Sequence, residues 1–193
     1  MLKDEIKDMA SGSVSVSYRN KTTGESVLVL EQKNLITYGA ADIIAKLIAG
    51  DSRYAINGMY FQFENTPGSP NPGQSIDRSS GIGYFNSLDG PSDWLRVPII
   101  TSGKIAKSPI GSVSYSGNSV TFVATTGAAD VQGEGTYPFS ASDSSKIFSL
   151  ALVAMPVIED KTKDVIFSRA NLLSSISAIE GSYIDIFWTI SLM

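Results

Sequence analysis

Over residues 182–192 the side chains alternate. Ile184, Ile186, Trp188, Ile190 and Leu192 fall on one face of an extended chain; Tyr183, Asp185, Phe187, Thr189 and Ser191 fall on the other. A period of two is that of a half-buried β-strand, so this segment is predicted to carry a large share of the core and to close a sheet. The same alternation marks Val14, Val16 and Tyr18, spaced by serines, as a first strand, and residues 27–31 as a second. Between them residues 20–25 supply turn chemistry, with Gly24 suited to positive φ, and the pair reads as a hairpin.

The period changes to that of a helix once. Ala40, Ile43, Ile44, Leu47 and Ile48 follow i, i+3, i+4 spacing, with Thr37 placed as N-cap and Gly50 as the C′ glycine. A helix over about 37–49 is predicted, its apolar face on a sheet and Asp42 and Lys46 outside, four apart and able to pair weakly. Strand character returns at 56–64, at 94–100, at 112–115 and 119–124 around a turn at 116–118, at 147–155 and at 165–167. Pro98 cannot donate to a ladder, which places its strand at an edge or bulge. Residues 172–180 read as a loop into the closing strand. Residues 65–93 hold four prolines and five glycines, a connection of unusual length for a compact domain. Residues 1–11, with Leu2, Ile6 and Met9, read as a short N-terminal arm. Eight or nine strands with one inserted helix give an antiparallel β-sandwich, jelly-roll-like, as a single domain over 12–193.

Composition narrows the chemistry. Among 193 residues there is no cysteine and no histidine, so thiolate zinc sites, disulfides, imidazole bases and Ser-His-Asp triads cannot be built. Net charge is −4, which offers no basic stripe for nucleic acid or anionic lipid. Charged residues are 18% of the chain, below the roughly 25% of an average soluble domain. The 29 serines fill much of that gap. The first nine residues mix both charges without an apolar run behind them, unlike a signal peptide.

The remaining candidates each read better as structure. The G-x-G pairs at Gly81 and Gly83 and at Gly133 and Gly135 do not join a strand to a helix, so they read as turns. Glu159, Asp160 and Asp164 lack calcium-loop spacing and read as a surface turn. Asp130, Glu134, Glu180 and Asp185 could supply paired carboxylates for glycoside hydrolysis, with no spacing to favour any pair. Ser102 and Lys104 flank Gly103 in a β-turn pattern, and the eight tyrosines are spread along the chain without the basic-neighbour pattern of a stacking platform. No catalytic, cofactor-binding or metal-ligating residue is assigned, and a non-enzymatic role is expected.

Three segments together resemble tailed-bacteriophage virion proteins. Lys33-Asn34-Leu35-Ile36-Thr37, running to Gly50, is similar to their N-L-[IV] opening. Asn118-Ser119-Val120-Thr121-Phe122-Val123-Ala124 is similar to their N-x-V-T-F-x-A strand, and Phe167-Ser168-Arg169 followed by Ile186-Phe187-Trp188-Thr189-Ile190 to their F-S-R and I-x-W-x-I ending. The hairpin at 13–31 and residues 65–93 lie outside the match. The resemblance implies a structural subunit of the virion, made in the host cytoplasm. Its expected role is capsid decoration (cement), with the major capsid protein and its own copies, as a symmetric dimer or trimer, for partners. A tail or fibre subunit is the alternative within that class, and a carbohydrate-binding or carbohydrate-degrading β-domain the alternative outside it.

Overall fold

The computed structural model describes residues 10–63, 94–98, 110–126, 146–157, 160, 163–177, 179 and 181–193. Ten strands form two antiparallel five-stranded sheets with one short helix. The closing strand, β10 (Ser182–Leu192), lies at the centre of the first sheet. It pairs along its whole length with β1 (Ala10–Asn20) and, on its other side, with β7 (Ser119–Thr126). The edges are β2 (Ser26–Lys33), beside β1, and β6 (Ile110–Ser116), beside β7, giving the order β2-β1-β10-β7-β6. The second sheet runs β3 (Leu35–Ile36), β9 (Val165–Ser177), β8 (Lys146–Ala154), β4 (Ile56–Phe63), β5 (Trp94–Pro98).

The alternation of the closing strand becomes the core. Ile184, Ile186, Trp188 and Ile190 are buried with Val14 and Val16 of β1. They join Met59 of β4, Leu150 and Leu152 of β8 and Leu172 of β9 in one cluster between the sheets. Leu192, expected on that face, is 47% exposed because the strand has run past the second sheet's cover. The apolar run of β8 has a simple cause. Leu150 and Leu152 face the main cluster, while Ala151, Val153 and Met155 form a second buried cluster with Ile166. A strand buried on both faces loses the polar half of its alternation.

The turns behave as their residues require. Gly24 adopts φ 74°, and the Asn20 side chain accepts from the backbone N–H of Thr22 and Thr23, closing the first hairpin. Pro98 lies on an outermost strand, as its missing donor demands.

Four expectations are corrected. Ala10 and Ser11, expected in an N-terminal arm over 1–11, are strand and pair with Leu192 and Ser191, while residues 1–9 lie outside the described residues. Residues 172–177 are strand, the second half of β9, paired to β8 through Ile147–Ile176 and Lys146–Ser177. The helix, α1, spans Gly39–Ile48, and Tyr38, not Thr37, stands at the N-cap. Thr37 is fully buried, and its hydroxyl donates to the Ile166 carbonyl at 2.5 Å while its N–H donates to Phe167 at 3.1 Å. Only the first half of the helix packs: Ala40 and Ile43 are buried, whereas Leu47 is 40% and Ile48 83% exposed. The C-terminus follows expectation. Gly50 takes φ 87°, and its N–H and that of Asp51 close on Leu47 and Lys46, the two bonds of a Schellman motif. Lys46 sits over the Tyr54 ring at 5.6 Å from its centre, not against Asp42. The long connection at 65–93 lies outside the described residues.

Side chains tie one sheet to the other. Gln32 of β2 donates to the Asn171 carbonyl and accepts from the Leu173 N–H, extending the β9 ladder beyond two-residue β3. The Tyr18 hydroxyl donates to the Ser177 carbonyl at 2.6 Å. Burial raises the Tyr18 phenol above its ordinary 10.0. The sign follows from linkage: the neutral phenol stabilises the fold fully below the unfolded value, and the contribution is lost as pH rises through the raised folded value. Tyr18→Phe is therefore expected to lose about 1 kcal/mol at neutral pH. In thermal melts through the alkaline range, its deficit against the parent should narrow. A deficit independent of pH would show that Tyr18 does not ionise on unfolding.

Candidate interaction surface

Two regions concentrate polar side chains: a joint between the sheets and the outer face of the first sheet.

At the joint, Asn34 occupies the step from β2 to β3, where the chain leaves one sheet for the other. Its backbone N–H donates to the Gly12 carbonyl at 3.0 Å. With its amide oriented so that each atom meets a complementary group, the oxygen accepts from Trp188 Nε1 and Ser168 Oγ, and the nitrogen donates to Gly12 O. Ser168 Oγ also reaches the Leu35 carbonyl at 3.1 Å, and Thr37 binds the next turn of β9. Asn34, Leu35 and Thr37, Phe167 and Ser168, and Trp188 thus meet at one point. Asn118 acts at the C-terminal end of β10, within the first sheet, exchanging backbone and side-chain hydrogen bonds with Leu192. Of the residues that carry the sequence resemblance, Asn34, Leu35, Thr37, Phe167, Ser168 and Trp188 join the two sheets, while Asn118 binds within one.

The outer face follows from register. Ser11, Ser191, Ser119 and Ser116 form one row across four strands; Ser13, Thr189, Thr121 and Ser114 form the next. Ser15, Phe187, Val123 and Ser112 make a third, and Ser17, Asp185 and Thr125 a fourth. Rows are spaced about 6.7 Å apart and strands about 4.8 Å. Hydroxyls bond across the strands, Ser119 to Ser191 at 2.8 Å and Thr121 to Thr189 at 2.9 Å.

Asp185 lies on the face away from the core, as expected, yet is only 5% exposed there. Arg19, two strand positions from Ser17, binds it through two nitrogens at 2.6 and 3.0 Å, and Thr125 donates to it at 2.6 Å. The hydrogen bond to Asp185 raises the Arg19 guanidinium above its ordinary value. Arg19 and Lys21 also lie over the Tyr183 ring, at 4.8 and 4.7 Å from its centre. A carboxylate accepting three hydrogen bonds is a poor proton carrier or nucleophile. Its charge is matched by Arg19, and the same face carries Glu31 and Lys33 at the β2 edge, opposite Ser15 and Ser13.

The other sequence candidates scatter. Asp164 is fully buried, not part of a surface turn. Gly81, Gly83, Ser102, Lys104, Asp130, Gly133, Glu134, Gly135, Glu159 and Glu180 lie outside the described residues. Among the described residues no group of acidic side chains is placed to hold a metal ion, and no helix is long and apolar enough to cross a membrane. What the sequence reading missed are exposed apolar residues on edge strands: Val27, Leu28 and Val29 on β2, and Val113 and Tyr115 on β6. Strand alternation flags them as core. Only the extent of the facing sheet shows that they are not.

No family model, curated protein or solved structure matches the chain.

Proposed function

We propose that the protein is a non-enzymatic structural subunit of a tailed-phage particle, a capsid decoration protein that binds across major capsid protein subunits and self-associates symmetrically. The observation that carries this reading is the outer face of the first sheet, rows rich in serine and threonine with Phe187 and Val123 among them, whose buried carboxylate is already paired. Across β1, β10, β7 and β6 such a face offers a broad contact area in which few charges would have to be stripped of water. Many copies, each contributing a modest contact energy, add up to particle stability through multivalency. The sequence resemblance supplies the virion context.

The test is cryo-electron microscopy of native particles, with mass spectrometry of separated heads and tails. Density for the chain on the head shell is expected; density confined to the tail favours the tail or fibre alternative, and absence from particles overturns both. A second reading, carbohydrate binding, draws on half-buried Phe187 set among hydroxyls. Reproducible binding to one glycan class on an array, lost in Phe187→Ala, would favour it.

A further inference from the structure

Among the described residues the sandwich has four outermost strands, and three are protected against pairing with another chain. β2 carries a bulge opposite Val16 and Ser17, followed by Glu31 and Lys33. β3 is two residues long. β5 contains Pro98. These are the usual means by which an edge is blunted. β6 has none along Ser112–Ser116: no charge and no proline, with its register shift confined to the far end, between Ile110 and Ser112.

Among the described residues β6 pairs only with β7. The two are joined at Gly117 and Asn118, with Ser116 opposite Ser119 and Gly117 at φ 58°. In a two-residue hairpin the closing pair is hydrogen-bonded, and bonding alternates from there. Ser116 and Ser114 therefore turn their backbone groups toward β7, while Val113 and Tyr115 turn theirs outward. The side chains add a second feature. Val113 and Tyr115 stand opposite Phe122 and Val120, on the core side of the sheet, yet are 55% and 86% exposed. The first sheet overhangs the second at this edge and leaves apolar side chains bare.

We propose that β6 pairs with β6 of a second copy, antiparallel about a two-fold axis at Ser114, so that two five-stranded sheets become one of ten strands. Self-pairing is what this segment fits. With Ser114 on the axis, Val113 faces the partner's Tyr115 and Tyr115 faces the partner's Val113, both β-branched–aromatic pairs of a favourable kind. The outward N–H and C=O groups of those residues fall into hydrogen-bonded pairs, about four bonds in all. A strand without charge brings no like charges together across the axis, where every residue meets its own neighbourhood. The two overhangs cover each other, and the serine rows of the outer face continue from one copy to the next. This deepens the reading of the chain as a symmetric self-associating subunit and rests on that part of it alone.

The chain has no cysteine, so Ser114→Cys provides a single reporter thiol. A non-hydrogen-bonded antiparallel pair sets Cα atoms about 4.5 Å apart, within the roughly 4.4–6.8 Å that a disulfide spans. Mild oxidation of the full-length variant is expected to give a linked dimer, twice 20.6 kDa, reversed by reductant. Ser26→Cys, exposed on β2, should stay unlinked under the same conditions. Sedimentation velocity should show the parent protein dimerising. Tyr115→Pro, which removes an outward N–H and leaves the ladder to β7 intact, should weaken that association at least about tenfold with an unchanged melting curve. The proposal is overturned by a parent protein that stays monomeric at every concentration, the result expected if this edge takes a strand of another protein. It is equally overturned if Ser114→Cys links no better than Ser26→Cys, or if Tyr115→Pro dimerises as well as the parent. None of these outcomes bears on whether the chain is found in particles, so the two readings fail separately.

Discussion

Trp188→Ala is expected to lower the unfolding free energy by about 3–5 kcal/mol. Trp188 heads the fully buried side chains of the protein and sits at the middle of the central strand, flanked by Val14 of β1 and Phe122 of β7. Two losses combine. Truncation leaves a cavity between two sheets that are each fixed by their ladders and cannot collapse into it. It also takes the indole N–H away from the Asn34 amide, leaving the amide oxygen with Ser168 Oγ as its donor at the joint. Trp188→Phe separates these losses, since it keeps most of the ring volume and removes only the donor; about 1–3 kcal/mol is expected from it. Urea titrations would measure both, with unchanged m-values showing that the denatured state is not responsible. If Trp188→Ala cost no more than Leu173→Ala, a substitution at a residue 69% exposed, the packing described for this strand would be wrong.

How far the fold was legible depends on how local each signal is. The closing strand, the two hairpins and the turns at Gly24 and Gly117 are read correctly because alternation and positive φ are properties of a few consecutive residues. The end of β9 was missed because Leu172-Leu173-Ser174-Ser175 breaks the alternation. What makes it strand is pairing with β8, and the Gln32 side chain reaching over from the other sheet. Thr37 carries a good N-cap side chain, yet two carbonyls of β9, about 130 residues away in sequence, take its hydroxyl instead. The burial of Asp185 was not legible because Arg19, which covers and pairs with it, comes from the far end of the chain. The candidate surface was the least legible part. Each of its rows draws one residue from each of several strands, and β6 counts as an open edge only once the reach of the opposite sheet is known. That Asn34, Thr37, Ser168 and Trp188 meet at the joint between the sheets was not visible in the sequence, because they come from three distant stretches of it.

Gly12→Ala is expected to cost about 1–3 kcal/mol, and most of that loss should disappear when Asn34 is shortened as well. The reason lies in space, not in backbone freedom. Gly12 shows no positive φ, so alanine meets no torsional obstacle, but a Cβ built there falls 2.1–2.7 Å from the amide atoms of Asn34. Asn34 cannot retreat without giving up Trp188 Nε1 and the Gly12 carbonyl together. Asn34→Ala alone is expected to cost about 1–3 kcal/mol by orphaning the indole N–H. In that background the methyl of Ala at position 12 enters the room the amide has vacated. The four proteins of the cycle, compared by urea unfolding, should therefore be non-additive by at least about 0.5 kcal/mol, the double variant being more stable than the sum predicts. Strict additivity would mean that Gly12 and Asn34 act independently and that the two sheets are not joined through this contact.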